Sequence, residues 1–166
     1  MSSTYEKIAT TTLGSSASDV TFSTITGSYT DLVLICQVKA STIATTYIQF
    51  NSDTGSNYSY TNLAGDGSTA SSSRGSNAAF SRINNLVYPD TTFNCNIIVN
   101  FQNYSNSTTY KTFLSRANKS NSDGGAEAIV GLWRSTSAIS TIKVYPSGGA
   151  TWATGSTFTL YGIKAE

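Results

Sequence analysis

The sequence predicts an all-β protein, a two-sheet antiparallel β-sandwich of about ten strands, and three observations carry that prediction. Apolar and polar residues trade places with a period of two along several stretches. No window of about a dozen residues repeats apolar positions at i, i+3, i+4 and i+7, as an amphipathic helix would. Clusters of Gly, Ser, Asn, Asp and Pro recur between the alternating stretches at the spacing of strand-connecting turns.

Taken in chain order, Tyr5–Thr11 and Asp19–Phe22 open the series with β-branched and aromatic residues. In DLVLICQVKA, Leu32, Leu34, Cys36 and Val38 share one face, while Val33 and Ile35 make the other face partly apolar, which predicts a central strand. Thr46–Asn51 and Phe80–Val87 follow. In FNCNIIVNF, Phe93, Cys95, Ile97, Val99 and Phe101 point one way and Asn94, Asn96 and Asn100 the other, with Ile98 alone breaking the polar face. Tyr110–Asn118, Glu127–Arg134, Ile139–Tyr145 and Thr157–Lys164 complete the set. The longest break, Ala64 to Asn77, is rich in Gly and Ser and is expected to be a surface loop near 64–77 of one domain spanning 1–166. Neither flank has enough apolar strand to close a core by itself, which argues against an interdomain linker.

Composition narrows the chemistry. Ser and Thr supply 52 of 166 positions, against ten Lys and Arg and nine Asp and Glu, so hydroxyls and amides cover most of the surface. A net charge of +1 provides no basic face for phosphates or anionic lipid, so neither nucleic acid nor a membrane is an expected partner. The absence of His removes the Ser-His-Asp and Cys-His arrangements and the His-bearing zinc sites. The acids lie singly along the chain, which disfavours a catalytic carboxylate pair, and neither an enzyme nor a cofactor is expected. The start MSSTYEKIATTTLG lacks an apolar run after a basic segment, so synthesis in a cytoplasm is expected. Cys36 and Cys95 each sit in an apolar-alternating strand and read as buried free thiols, with a disulfide as the alternative.

Two segments, Asp53-Thr54-Gly55-Ser56-Asn57 and Asp123-Gly124-Gly125-Ala126-Glu127, place oxygens around glycines as a calcium loop does, but neither completes a loop signature and ordinary turns are expected. The aromatic residues are the remaining source of a site, because a sugar-binding sandwich stacks exposed rings on the apolar face of a pyranose. Trp133 alternates with Ile129 and Gly131 and is expected in sheet packing. Trp152, between Gly149 and Gly155, reads either as a plug or interface residue or as a ligand platform. Tyr58 and Tyr60, beside Asn57 and Asn62, are candidates to line a groove, so Tyr58, Tyr60 and Trp152 form the candidate ligand or interface set.

The C-terminal GLWRSTSAISTIKVYPSGGATWATGSTFTLYGIKAE combines Gly131 and Trp133, Ile139 and Ile142, the Gly148-Gly149 turn and a closing strand from Gly155 to Lys164. This pattern resembles small virion structural proteins of tailed bacteriophages, those of cyanobacterial and marine phages in particular. The opening YEKIATTTLGSSASDVTFSTITGSYTDLVLI and the segment Asn51–Leu63 share the likeness. The resemblance implies a jelly-roll-type module on the virion surface, a capsid decoration or cement protein or part of a tail fibre, with no catalytic residues to carry over. A module without a fibre's long trimeric shaft is expected to dock by its own surface. The favoured expectation is a decoration protein bound to the major capsid protein as a homo-oligomer, a trimer foremost and a monomer as the alternative. The rival expectation is a tail-associated receptor-binding or carbohydrate-binding module that recognises a host glycan.

Overall fold

The computed structural model describes residues 4–120 and 125–164. Its strands are β1 (Tyr5–Thr12), β2 (Val20–Phe22), β3 (Asp31–Val38), β4 (Thr46–Phe50), β5 (Tyr58–Gly65), β6 (Ala70–Ala78), β7 (Ser81–Arg82), β8 (Cys95–Phe101), β9 (Lys111–Lys119), β10 (Ala126–Trp133), β11 (Ile142–Pro146) and β12 (Thr157–Ile163). No helix occurs among the described residues. The strands form an eight-stranded sheet, in the order β1-β12-β3-β8-β9-β10-β5-β6, and a four-stranded sheet, β2-β11-β4-β7, with every pairing antiparallel. The protein is the two-sheet antiparallel sandwich that the alternation predicts.

Register follows from which face each strand buries. Cys95, Ile97, Val99 and Phe101 of β8 are buried while the residues between them are half-buried. On β3, Leu32, Leu34, Cys36 and Val38 are buried opposite them, and Ile142 and Val144 of β11 with Ile48 and Phe50 of β4 close the core from the small sheet. Phe50 joins the layers: its ring meets Phe101 edge-on at 5.7 Å, Phe113 at 5.9 Å and the tilted Trp133 at 5.5 Å between centroids. Such aromatic pairs each add about 0.5–1.5 kcal/mol beyond the area they bury. Cys36 pairs with Ile97 and Cys95 with Val38, so the two free, buried thiols are diagonal neighbours on β3 and β8. Burial pushes both thiols up, Cys95 to about 12, which keeps them protonated and inert near neutral pH.

The segment Ala64 to Asn77 departs from expectation. It is not a surface loop: β5 runs to Gly65 and β6 returns from Ala70 alongside it, a hairpin that forms the edge of the large sheet. Its Ser and Gly content hid it, because β6 buries almost nothing and its side chains need not be apolar. β5 was equally hidden, since the inward side chains Tyr58, Tyr60 and Asn62 are polar while Leu63 faces solvent. Conversely, Phe80–Val87 supplies only the two-residue β7. The rest of that segment turns so that its backbone can be capped by a carboxylate from β10, as described below.

Three glycines receive aromatic rings. Phe113 lies over its cross-strand partner Gly131, Tyr60 over Gly75 and Tyr29 over Gly162, each where an added Cβ would collide with the ring. The Gly131→Ala variant is expected to lose about 1–3 kcal/mol through overpacking. Its urea midpoint should fall while the slope of the transition stays constant; an unchanged midpoint would show that the Phe113 ring moves aside freely.

Candidate functional site

Tyr58, Tyr60 and Trp152 do not form a ligand platform. Trp152 is fully buried; its backbone bridges Ala17 and Ala40, its ring meets Phe158 edge-on at 5.4 Å, and its indole N–H donates to the Val144 carbonyl at 3.3 Å. Of the two readings of Trp152, the plug holds: the glycine-rich surroundings serve as turns around a buried indole. Tyr58 is likewise fully buried, stacked near-parallel on Trp133, and its hydroxyl accepts the Phe50 N–H at 2.9 Å. Tyr60 is half-buried, with one flank on Gly75 and the Arg82 guanidinium 5.3 Å from its ring centre. The groove expected between Tyr58 and Tyr60 is therefore filled by the protein itself.

The two glycine-bearing acidic segments are structural wherever they are described. Asp53 Oδ1 accepts the Gly55 N–H at 2.8 Å, and Oδ2 accepts Asn57 Nδ2 at 2.9 Å and the Trp133 indole N–H at 2.6 Å. Burial pushes the Asp53 carboxyl up, but these three donors outweigh it and hold the group below the usual carboxylate range. Residues 121–124, which include Asp123, lie outside the described residues, but Glu127 is described and buried. Its two oxygens accept the backbone N–H groups of Asn85, Leu86 and Val87 at 2.8–3.2 Å, which replaces the strand pairing that segment lacks. Desolvation dominates there and raises the Glu127 carboxyl against those same donors. Among the described residues, no three metal-ligating side chains converge.

One broad surface able to meet another molecule is the outer face of the eight-stranded sheet. Antiparallel register places Ile35 beside Ile98, Ile98 beside Arg116, Arg116 beside Ala128 and Ala128 beside Leu63, one continuous rung across five strands. The next rung sets Leu114 beside Val130. Leu63 is 62% exposed, Val130 55% and Ile35 39%, so large apolar side chains stand in solvent on a face that no other part of the described chain covers. Arg116 is exposed in the middle of this patch and has no ion pair or hydrogen bond among the described residues. Between Ile98, Arg116, Ala128 and Leu63 the sheet dips into a shallow depression of about 480 Å³. Among the charged residues of the flanking strands, Lys7 and Arg74 share the rung of Leu114 and Val130 and are also positive.

Sequence reading gave part of this face its due. Ile98 and the second apolar side of the Val33–Ile35 strand are visible as breaks in alternation, but Leu63 falls between the expected groove residues and the expected loop, where no strand is predicted. Nor could alternation alone show that these positions share a rung, because that depends on strand order.

The Asp53 cluster yields a pH prediction. Because the folded-state carboxyl is lowered from 3.8, its contribution is present above that value and lost as pH falls through the lower folded value. Asp53→Asn turns an amide toward the buried Trp133 N–H and should cost about 1–3 kcal/mol near neutral pH. In urea melts the gap to the wild type should narrow below pH 3.8; a gap independent of pH would place the effect in packing instead. Comparison with protein-family models, with curated proteins and with solved structures finds no match to this chain.

Proposed function

We propose that this chain is a non-enzymatic bacteriophage virion structural protein, a jelly-roll-type decoration module that binds the major capsid protein and stabilises the head from the virion surface. The observation that carries the reading is the set of exposed apolar side chains on the outer face of the large sheet, Ile35, Leu63 and Val130, around Arg116, which has no partner among the described residues. A broad surface with several exposed apolar anchors suits a protein partner. Contiguous exposed apolar area on a sheet is costly in isolation and is characteristic of an interface. Arg is favoured at the energetic centre of such interfaces, where its apolar stem packs and its fork meets a carboxylate. The expected partner surface is thus apolar with an acidic residue opposite Arg116.

Docking of this kind needs no reaction. Each bound copy adds buried contact between neighbouring capsid subunits, and the shell gains stability by mass action because the module binds the assembled form. A trimer seated on capsid three-fold positions is the arrangement implied by the phage resemblance, and cyclic symmetry accommodates it. The glycan-recognition rival, as formulated on Tyr58 and Trp152, loses both residues to the core.

The test is co-sedimentation of the purified protein with capsid shells that lack it, scored by copies per shell and by the shell's melting temperature. Many copies per shell and a raised melting temperature are expected for the wild type. Leu63→Glu and Arg116→Glu, both at exposed positions, should each weaken binding about 10- to 100-fold while leaving the protein's own urea midpoint unchanged. Absence of binding to shells, or binding indifferent to both substitutions, would overturn the proposal.

A further inference from the structure

The outer face of the four-stranded sheet is built differently from that of the large one. Tyr145 of β11 and Tyr47 of β4 are cross-strand partners, with rings edge-to-face at 5.6 Å. Phe80 stacks on Tyr47 at 3.9 Å and 22°, covering one face of that ring and holding it in place. Beside the tyrosines lies a depression of about 370 Å³, walled by Asp19, Lys143 and the Gly148-Gly149 turn.

Several polar groups around this depression are unspent, although Asp19 accepts the Ser18 and Thr21 hydroxyls, each at 3.3 Å. Neither tyrosine hydroxyl has a hydrogen-bond partner among the described residues, and the same holds for the N–H groups of Gly148 and Gly149. Lys143 makes only a long, 3.7 Å ion pair with Asp19 and sits 5.4 Å from the Tyr145 ring centre. The turn is nonetheless held in place, because Ser147 donates its N–H to the Thr45 carbonyl at 2.8 Å and accepts the Thr45 N–H on Oγ at 3.0 Å. Gly148 and Gly149 have φ of 68° and 75°, where side chains are strained, so glycine both permits the turn and leaves its backbone open to a ligand.

We propose that this depression is a binding site for a neutral pyranose unit of a glycan. A hexopyranose offers a C–H face that packs on tyrosine rings and a rim of hydroxyls that both donate and accept. Asp19 accepts, Lys143 and the glycine N–H groups donate, and the tyrosine hydroxyls do either. The Asp19 carboxylate opposes a phosphate or sulfate, and its pairing with Lys143 leaves the site without net charge. The volume lies at the low end of ligand pockets, which fits a single sugar ring. This site is on a different sheet from the capsid-docking face and involves none of its residues.

The experiment is amide chemical-shift mapping of the intact, isotope-labelled protein with methyl α-D-mannopyranoside, methyl α-D-glucopyranoside and methyl β-D-galactopyranoside. At least one should shift Ser147, Gly148 and Gly149 with a dissociation constant on the order of 1 mM. Tyr145→Ala should weaken that binding about tenfold, the loss of one ring contact. Asp19→Asn, at a half-exposed position, tests the polar side if the first variant does not fold. Tyr110→Ala, at an exposed ring elsewhere, should leave binding intact. The proposal is overturned by no response to any of the three sugars up to about 50 mM. Shifts confined to other surfaces, inorganic phosphate binding in place of sugar, or binding unaffected by both site variants would do the same.

Discussion

The contact on which this fold depends is the aromatic junction at the end of β4, where Phe50 of the small sheet enters a pocket formed by Tyr58, Phe101, Phe113 and Trp133 of the large one. It ties four strands of one layer to the other, and it does so with polar guidance. The Tyr58 hydroxyl accepts the Phe50 N–H, and Asp53 just beyond β4 receives the Trp133 indole N–H. Two aromatic residues with polar tips are therefore buried with those tips satisfied, which aligns the sheets as well as holding them. At the opposite side, Trp152 fills the space between β11 and β12 and pins Ala17 and Ala40 by backbone bridges. Apolar packing supplies the attraction, and these few hydrogen bonds select a single arrangement of it.

Because the interior is settled by so few large rings, the rest of the chain is free to be made of Ser, Thr and Asn. That freedom explains which parts of the fold were legible in the sequence. Strands with one strictly apolar face, such as β3, β8 and β12, announce themselves by alternation. β5 and β6 do not, because the inward side of β5 presents Tyr60 and Asn62 to a polar region around Arg82 and Asn85, and β6 is an edge with little to bury. The period-two signal measures the contrast between two faces, and a strand whose faces are both polar carries none. The same limit hid Tyr47 and Phe80, which fall in predicted strand segments but become an aromatic surface only when β4, β7 and β11 are laid side by side. Trp152 was legible only as a choice between plug and displayed ring, because its glycine neighbours fit both, and the plug is decided by bridges to Ala17 and Ala40, both distant in sequence.

Edges show how a sandwich of this composition avoids uncontrolled pairing. β1 carries Glu6 and Lys7 and has an irregularity of register between Lys7 and Ala9, both of which discourage another strand from adding there. β6, at the far edge, relies on solvated hydroxyls and on Arg74. Neither edge strand carries a continuous apolar row, and Ile35, Leu63 and Val130 stand exposed on the face between them.

The low charge of the chain makes the exposed apolar side chains of that face informative. With only 11% charged residues, recognition by long-range electrostatics is weak, and specificity has to come from shape, apolar contact and hydrogen bonding at short range. The two sheets offer those terms in different proportions. Eight paired strands make a wide face on which Ile35, Leu63, Val130 and a single central Arg116 can meet an extended partner surface. Four strands make a narrow face on which two tyrosines, a carboxylate and a glycine turn enclose a space of ligand size. A partner large enough to cover the first face could not enter the second, and a ligand small enough for the second would bury too little to bind the first. Unequal sheet width therefore separates two kinds of contact on one small domain, so that attachment to a particle would leave the aromatic face open to solvent.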